Sequence, residues 1–245
     1  MKNIFYLIVF LISINIVIAQ EEEDVGWVSR FGAAGGISPT FVFPNLDMLN
    51  KEIKNFGLPE MDNNLFTFGG GGYVYLMFIE NVRIGGIGFG GSKNVKGNVN
   101  FLGNNLNREV DYDFGFGGFT VEYTLPFIKG IAVSLGGIFG GGAQVISIYE
   151  SKGNYSWDNS WPNNSFYNSS VSNEIKNNFF SVTPTLNIDF PLTRFVAVRI
   201  GGGYLMNFSN EWKINNDLKI INVPKDLTSN NFFIQTGIYF GFFAF

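Results

Sequence analysis

The fold of this chain is decided by its last fourteen residues, 232–245, which read FFIQTGIYFGFFAF. The stretch is almost wholly apolar and aromatic, and no polar residue follows Phe245. In a water-soluble sheet it would form a long hydrophobic edge strand and invite aggregation. It is stable if neighbouring strands pair with both of its edges in a closed barrel whose outer face meets lipid. The stretch therefore predicts a transmembrane β-barrel.

The first nineteen residues have the layout of a secretory signal peptide. Lys2 precedes an apolar run over residues 4–18, and the small residue Ala19 completes a cleavage site. Acidic residues follow at once, which argues against a membrane-spanning helix. Residues 1–19 are therefore predicted to be a signal peptide, and residues 20–245 a single outer-membrane barrel domain. The chain has no cysteine, so a disulfide and a lipid-attachment thiol are both excluded.

Composition narrows the class of protein further. Hydrophobic residues make up 46% of the chain and charged residues only 15%, with 28 Phe and 31 Gly. The formal net charge is −4 and no basic run occurs, which argues against a nucleic-acid partner. Beyond the signal peptide no apolar run reaches about 18 residues, so strands are the elements expected to cross a membrane.

Eight glycine-rich, apolar stretches are each long enough to cross a bilayer as a tilted strand, which takes about 9–11 residues. Long polar connections (39–63, 93–108, 150–177, 209–230) alternate with short ones (80–81, 125–130, 191–194). This alternation is typical of outer-membrane barrels, and an even strand number puts both termini on the periplasmic side. The predicted fold is an all-β, eight-stranded antiparallel up-and-down barrel with strands at 26–38, 64–79, 82–92, 109–124, 131–149, 178–190, 195–208 and 231–245.

One segment of the first long connection departs from the β pattern. Residues 45–56 place Leu46, Leu49, Ile53 and Phe56 at helical spacing, and Gly57 follows them. A short amphipathic helix is therefore predicted there. Its apolar face is expected to cap the barrel rim, and a lid or partner-binding helix is the alternative.

The two strand faces are clearest over residues 178–190, where apolar residues occupy even positions and polar residues odd ones. This is the apolar-out, polar-in pattern of a barrel wall. In 109–124 the apolar positions change parity at Gly117-Gly118, which predicts a β-bulge. Pro184 predicts a second bulge, because proline cannot donate a ladder hydrogen bond.

Few charges fall within the predicted strands. An arginine that faces lipid at the bilayer midplane costs about 2–4 kcal/mol, so these charges are expected to face the lumen. An eight-stranded barrel is just wide enough for side chains to fill. We therefore predict an internal ion-pair network and a plugged lumen, with a channel for small solutes or hydrophobic compounds as the alternative. The network residues are Arg30, Arg83, Glu122, Asp189 and Arg199, with Asp111 and Asp113 near a rim.

The available side chains restrict catalysis. The chain has no histidine and no cysteine, which removes His-based triads, cysteine nucleophiles and the usual zinc sites. Asp111 and Asp113 have the spacing of a carboxylate pair on one strand face, but a polar strand end explains them better. Residues 86–91 match Gly-x-Gly-x-x-Gly without a following helix, so they carry little weight as a nucleotide motif. A non-enzyme without catalytic residues, cofactor or metal is predicted.

The connection 150–177 carries aromatic residues among Asn and Ser. Exposed aromatics in such a setting resemble a surface that contacts carbohydrate or protein. An aromatic girdle at the membrane interface is the alternative. The candidate contact residues are Tyr155, Trp157, Trp161, Phe166 and Tyr167.

The signal peptide, the eight amphipathic strands, the alternating loop lengths and the terminal Phe245 together resemble the small bacterial outer-membrane barrels of the OmpA, OmpX and OmpW kind. The resemblance is one of architecture, so no functional residue carries over. It implies a Gram-negative outer-membrane location and insertion by the barrel assembly machinery, which recognises a terminal aromatic strand, here Tyr239, Phe243 and Phe245. The expected function is a non-enzymatic barrel whose long loops bind an extracellular partner or glycan, or support the envelope. A soluble, lipocalin-like barrel is the alternative fold.

Overall fold

The computed structural model describes residues 31–126, 128, 130–152, 170–224, 227 and 230–244. These residues form one antiparallel sheet and a single α-helix, α1 (Asp47–Asn55). Among them, no helix is long and apolar enough to span a membrane. The strands are β1 (Phe31–Ile37), β2 (Thr40–Phe43), β3 (Leu65–Tyr75), β4 (Val82–Phe101), β5 (Asn104–Thr124), β6 (Ala132–Ser151), β7 (Val171–Pro191), β8 (Val196–Ile214), β9 (Leu218–Lys219) and β10 (Asn231–Ala244).

The sheet closes on itself into a ring of eight wall strands within the described residues. β1 and β2 are two halves of one wall strand, because both pair with β10 on one side and with β3 on the other. The remaining wall strands follow in chain order from β3 to β8, and β10 pairs with β8 to complete the ring. The short β9 lies outside the ring as an appendage of β8. The predicted eight-stranded up-and-down barrel is confirmed.

The wall strands are longer than the sequence suggested. β4 to β8 each contain 19 to 21 residues, about twice what a tilted strand needs to cross a bilayer. The predicted long connection at 93–108 is wrong: β4 and β5 continue to a two-residue turn at Leu102 and Gly103, whose φ angles of 51° and 77° suit a tight hairpin. Asn and Lys on the outer face made this hairpin read as a loop, although Val95, Val99 and other inward residues keep the period of two.

The bulge predicted at Gly117-Gly118 is also wrong. β5 keeps one register with β4 and with β6 over its whole length, and its even-numbered residues face inward throughout. Phe114 and Phe116 are buried inside the barrel, whereas Phe119 and Val121 are exposed on its outside. On the loop side of Gly117 the interior is apolar, so the apolar residues take the inward, even positions. On the other side the interior is polar, so the apolar residues take the outward, odd positions.

Pro184 does not produce a bulge either. The β7–β8 ladder is interrupted between the pairs Val182↔Met206 and Thr185↔Gly203, but the register is the same on both sides of the gap. The missing donor of Pro184 is therefore accommodated by a local loss of pairing without an inserted residue. The register shift of this ladder lies higher, between Asn177 and Phe179.

The outer face has two zones, and β7 shows both. Its outward residues run from Ile188 through Leu186 and Phe180, which are apolar, to Lys176 and Glu174, which are charged. The apolar zone continues around the wall, where large side chains such as Phe66 and Phe240 are 54% and 59% exposed. Monomeric water-soluble proteins rarely expose a contiguous apolar surface of this kind, which is typical of a membrane or protein contact.

The predicted helix is confirmed as α1, slightly shorter than expected. Leu49 and Ile53 on its apolar face are buried together with Leu46, Leu58 and Met61 in the main hydrophobic cluster of the barrel. The helix therefore lies over the mouth at the loop end, with its apolar face turned into the interior. Gly57, with a φ of 83°, ends it in the left-handed conformation that glycine adopts at little cost.

Many inward-facing glycines of the clusters are in closer contact with a neighbouring strand than most outward-facing ones. A Cβ added to the inward-facing Gly140 would overlap the carbonyl oxygen of Gly117 on the neighbouring strand, and inward Gly69 and Gly85 meet neighbouring carbonyls in the same way. A Cβ on the outward-facing Gly115 would meet nothing within 4 Å. The small barrel brings the inner faces of adjacent strands too close together for side chains at these positions.

We expect Gly140→Ala to destabilise the barrel by about 1–3 kcal/mol, because the overlap must be relieved by moving the backbone. Gly115→Ala is the matched control and should be neutral or stabilising by up to about 1 kcal/mol, since alanine restricts the unfolded chain. Urea titration of the detergent-solubilised barrel, followed by tryptophan fluorescence, measures both. Equal midpoints for the two variants would contradict the steric explanation.

Candidate functional site

The barrel interior is layered along its axis, and β5 passes through every layer. From the loop end, its inward residues are the basic Arg108, then apolar and aromatic residues down to Phe116, then Thr120, Glu122 and Thr124. All of these side chains are buried. The interior thus consists of a clamp under the helix, an aromatic layer and a charged layer near the short turns.

The charged layer contains four of the five predicted network residues. Arg83 pairs with both Glu122 and Asp189, and Arg199 binds Asp189 through Nε at 2.6 Å and Nη2 at 3.0 Å. Nη1 of Arg199 lies 3.5 Å from Glu122. The two arginines and two carboxylates balance in charge, and each is at most 4% exposed. Buried charges are tolerated when they are paired and hydrogen-bonded in this way.

Neutral side chains complete the charged layer, and the sequence did not point to them. Arg83 and Arg199 lie 4.4 and 4.9 Å from the ring centre of Tyr73, and Arg199 lies 4.7 Å from that of Tyr239. Asn187 donates to Glu122 at 2.9 Å, and Gln235 donates to Asn187 at 2.8 Å. One signal for these neutral residues was present in the sequence: Gln235 is the one amide in the apolar terminal stretch, which indicates an inward polar contact.

The aromatic layer lies between the charged layer and the helix. Phe89 contacts Phe116 and Phe233 at ring-centre distances of 5.5 and 5.4 Å, and Phe179 contacts Phe114 and Phe116 at 5.8 and 6.3 Å. The five rings come from four different wall strands and cross the interior. Offset and tilted ring pairs at these distances are favourable beyond their buried area.

Arg108 clamps the helix loop to the wall. Its Nη1 donates to the carbonyl oxygen of Phe56 at 2.6 Å, and its Nε donates to Glu150 at 2.8 Å. The guanidinium carbon also lies 4.4 Å from the ring centre of Phe56. The prediction missed this clamp, because both Arg108 and Glu150 fell in segments that were read as loops.

Several predicted site residues lie outside the described part of the chain. They are Arg30, the loop aromatics Tyr155, Trp157, Trp161, Phe166 and Tyr167, and the terminal Phe245.

The terminal strand β10 turns its even-numbered residues outward. Ile234, Ile238, Phe240 and Phe242 are exposed, which settles the face that the sequence left open. Tyr239, which the sequence placed in the assembly signal, is buried against Arg199 in the charged layer. Phe243 of the same strand pairs with Gly32 of β1.

Asp111 and Asp113 do not face the lumen, contrary to the expectation for strand charges. They lie on the outer face of β5 in its polar zone, opposite Asn94 and Ser92 of β4. Partial burial raises the pKa of Asp111, and Glu109 and Asp113 raise it further. Partial burial and the nearby Glu174 raise the pKa of Asp113. The two form part of a carboxylate-rich exterior.

Comparisons with known proteins give structural likeness only. No protein-family model matches the chain, and no curated protein matches it. Ail of Yersinia pestis, solved with the heparin analogue sucrose octasulfate, is 12% identical, with 86% of this chain and 97% of Ail covered at a TM-score of 0.42. Neisserial surface protein A is 10% identical, with 86% and 97% covered at 0.40, and the Escherichia coli outer-membrane protease OmpT is 10% identical, with 88% and 98% covered at 0.29.

We expect Asp189→Asn to destabilise the barrel by about 3–5 kcal/mol, because it leaves two buried arginines with one carboxylate. Glu60→Gln removes the partner of Lys54 in an exposed pair, with 59% and 75% side-chain exposure, and should cost less than about 1 kcal/mol. Urea unfolding of the solubilised proteins measures both. A loss below about 1 kcal/mol for Asp189→Asn would contradict the structural role of the layer.

Asp113 should make the barrel less stable at neutral pH than in mild acid. Its pKa in the folded protein is raised, so its contribution to stability is present at low pH and is lost as the pH rises through that pKa. Asp113→Asn should therefore unfold at a higher urea concentration than the unmodified protein at pH 7, and the difference should vanish near pH 3. A variant less stable than the unmodified protein at pH 7 would contradict the assignment.

Proposed function

We propose that the protein is a non-enzymatic, integral outer-membrane β-barrel of a diderm bacterium, closed to solutes and acting through its extracellular end. The observation that carries the proposal is the pairing of an apolar outer wall with a filled interior. The wall needs lipid around it, because its exposed aromatic and aliphatic belt has no other partner among the described residues. The closed ring leaves no unpaired sheet edge within that lipid.

The orientation follows from the two ends of the barrel. The three connections at the end where β1 starts and β10 ends are all short and join β3 to β4, β5 to β6 and β7 to β8, whereas at the other end the β4–β5 turn is short and the other connections are long. In outer-membrane barrels the short turns face the periplasm, so both termini are assigned there. The signal peptide would direct the chain across the inner membrane. The barrel assembly machinery would then recognise the aromatic terminal strand and insert the barrel.

Two layers in series close the lumen. The aromatic layer crosses the interior from β4, β5, β7 and β10, and the charged layer crosses it again below. The helix and the clamp of Arg108 cover the upper opening. A solute would have to displace all three, which favours a plugged barrel over a channel.

The extracellular end is then where the protein meets a partner. The wall rises well beyond the apolar belt, and α1 holds the first loop rigidly over the mouth. β6 ends and β7 begins at this end, and the aromatic residues of the intervening sequence are the proposed contacts with an extracellular protein or glycan. Catalysis is disfavoured, because the buried carboxylates Glu122 and Asp189 and the half-buried Glu150 are all held by arginines.

Planar-bilayer recording tests the closure. We expect no steady, solute-permeable conductance from the purified barrel. Phe116→Ala/Phe179→Ala opens the aromatic layer and the charge-balanced Arg83→Ala/Glu122→Ala opens the charged layer, and each of these barrels should stay closed. The combination of both with Arg108→Ala, which also releases the helix clamp, should conduct. Heat-modifiable gel migration checks that each variant has folded. A steady conductance in the unmodified protein would contradict the closed barrel and would identify the protein as a channel.

A further inference from the structure

A polar cup lies at the rim where β2 ends and β3 and β10 begin. Its volume is about 720 Å³, and it is lined mainly by amides and carboxylates. The strand register explains its location: Phe43 is opposite Phe232 of β10, and Val42 is opposite Leu65 of β3. The polar residues that follow or precede these positions therefore converge. They are Asn45, Asp47, Asp62, Asn63, Asn64 and Asn230.

The polar side chains of the cup make hydrogen bonds within the protein and carry further donor or acceptor atoms that could bind a ligand. Asp47 accepts from Asn63 at 3.3 Å, and Asn230 accepts from the backbone N–H of Asn207 at 3.0 Å. The oxygen of Asn64 accepts from Lys93 at 3.2 Å. The second carboxylate oxygen of Asp47 can accept a hydrogen bond, and the side-chain amide nitrogens of the asparagines can donate one. Sugar hydroxyls, which both donate and accept, match such a set.

The charge of the cup favours an uncharged ligand. Asp47 and Asp62 contribute two negative charges and Lys93 one positive charge, which leaves a net charge of −1. Lys93 is also directed at the backbone oxygens of Asp62 and Asn64, at 3.1 and 2.9 Å. A phosphate group would be repelled by the carboxylates, so the expected head group carries none.

An apolar groove of about 550 Å³ begins directly below the cup. Phe43 of the cup stacks on Phe232 at a ring-centre distance of 6.1 Å, and Phe232 forms one wall of the groove. Gly202 leaves its floor without a side chain, and Leu186 and Ile234 flank it. The groove runs down the outer face beside the interrupted pairing at Pro184. Its mainly apolar lining suits a hydrocarbon chain.

We propose that the cup and the groove form one binding site for a glycolipid, with an unphosphorylated sugar in the cup and an acyl chain in the groove. The stacked pair Phe43–Phe232 joins the two parts at the upper edge of the apolar belt, where a lipid changes from head group to chain. This site rests on the proposed membrane location, because the groove must face lipid.

Native mass spectrometry of the barrel released from phosphatidylcholine nanodiscs tests the site. The discs contain glucosyl-diacylglycerol or phosphatidylglycerol with the same acyl chains. We expect the glucosyl lipid to be retained about tenfold more strongly. Asp47→Ala/Asn64→Ala should abolish this preference, and Ile200→Trp, which fills the groove, should reduce retention of the glucosyl lipid about fivefold. Asn98→Ala/Asn100→Ala and Val121→Trp are matched controls on β4 and β5 and should change neither value.

Equal retention of the two lipids by the unmodified barrel would overturn the glycolipid site, as would an unchanged preference in the cup variant. Displacement of the lipid by methyl glucoside at equal concentration would show a site for free sugar and would also overturn it. Heat-modifiable migration and disc incorporation are read from the same samples. Failure to enter the discs would contradict the proposed membrane function, whereas normal entry without lipid preference would reject only the site.

Discussion

The structure depends on the pairing of β10 with β1 and β2. Without it the sheet would have two open edges, and the apolar outer residues of β10 could not be placed in lipid with their backbone groups satisfied. Closure at eight strands in turn fixes the narrow interior. The narrow interior accounts for glycine at the positions where adjacent strands approach closely. It also accounts for packed aromatic rings in the apolar layer and for ion pairs of balanced charge in the charged layer.

The interior and the exterior change polarity at similar heights but in opposite ways. Toward the short turns the wall is apolar outside and charged inside, and toward the loops it is charged outside and apolar inside. β5 shows this in a single strand, from Glu122 beside Val121 to Tyr112 beside Asp111. The upper part therefore resembles a small water-soluble barrel with its own hydrophobic core, mounted on a membrane-type barrel.

This inversion explains which features could be predicted from the sequence. The strand number, the helix and the faces of β7 were predictable, because β7 keeps its polar residues inside over the lower wall. The false bulge in β5 and the missed hairpin at 93–108 share one cause, the assumption of a polar interior along the whole axis. Arg83, Glu122, Asp189 and Arg199 could be named as lumen charges, but Tyr73 and Gln235 join them only through the register of the closed sheet.

The two-residue turn between β4 and β5 has a consequence for engineering. Leu102 at its tip is 85% exposed, and the paired strands below it form a stiff ribbon that carries the turn away from the wall. A peptide inserted between Leu102 and Gly103 would leave every ladder hydrogen bond and the packed interior in place. With the loop end outside the cell, as we propose, the hairpin is a suitable point for the display of epitopes or affinity tags on intact cells.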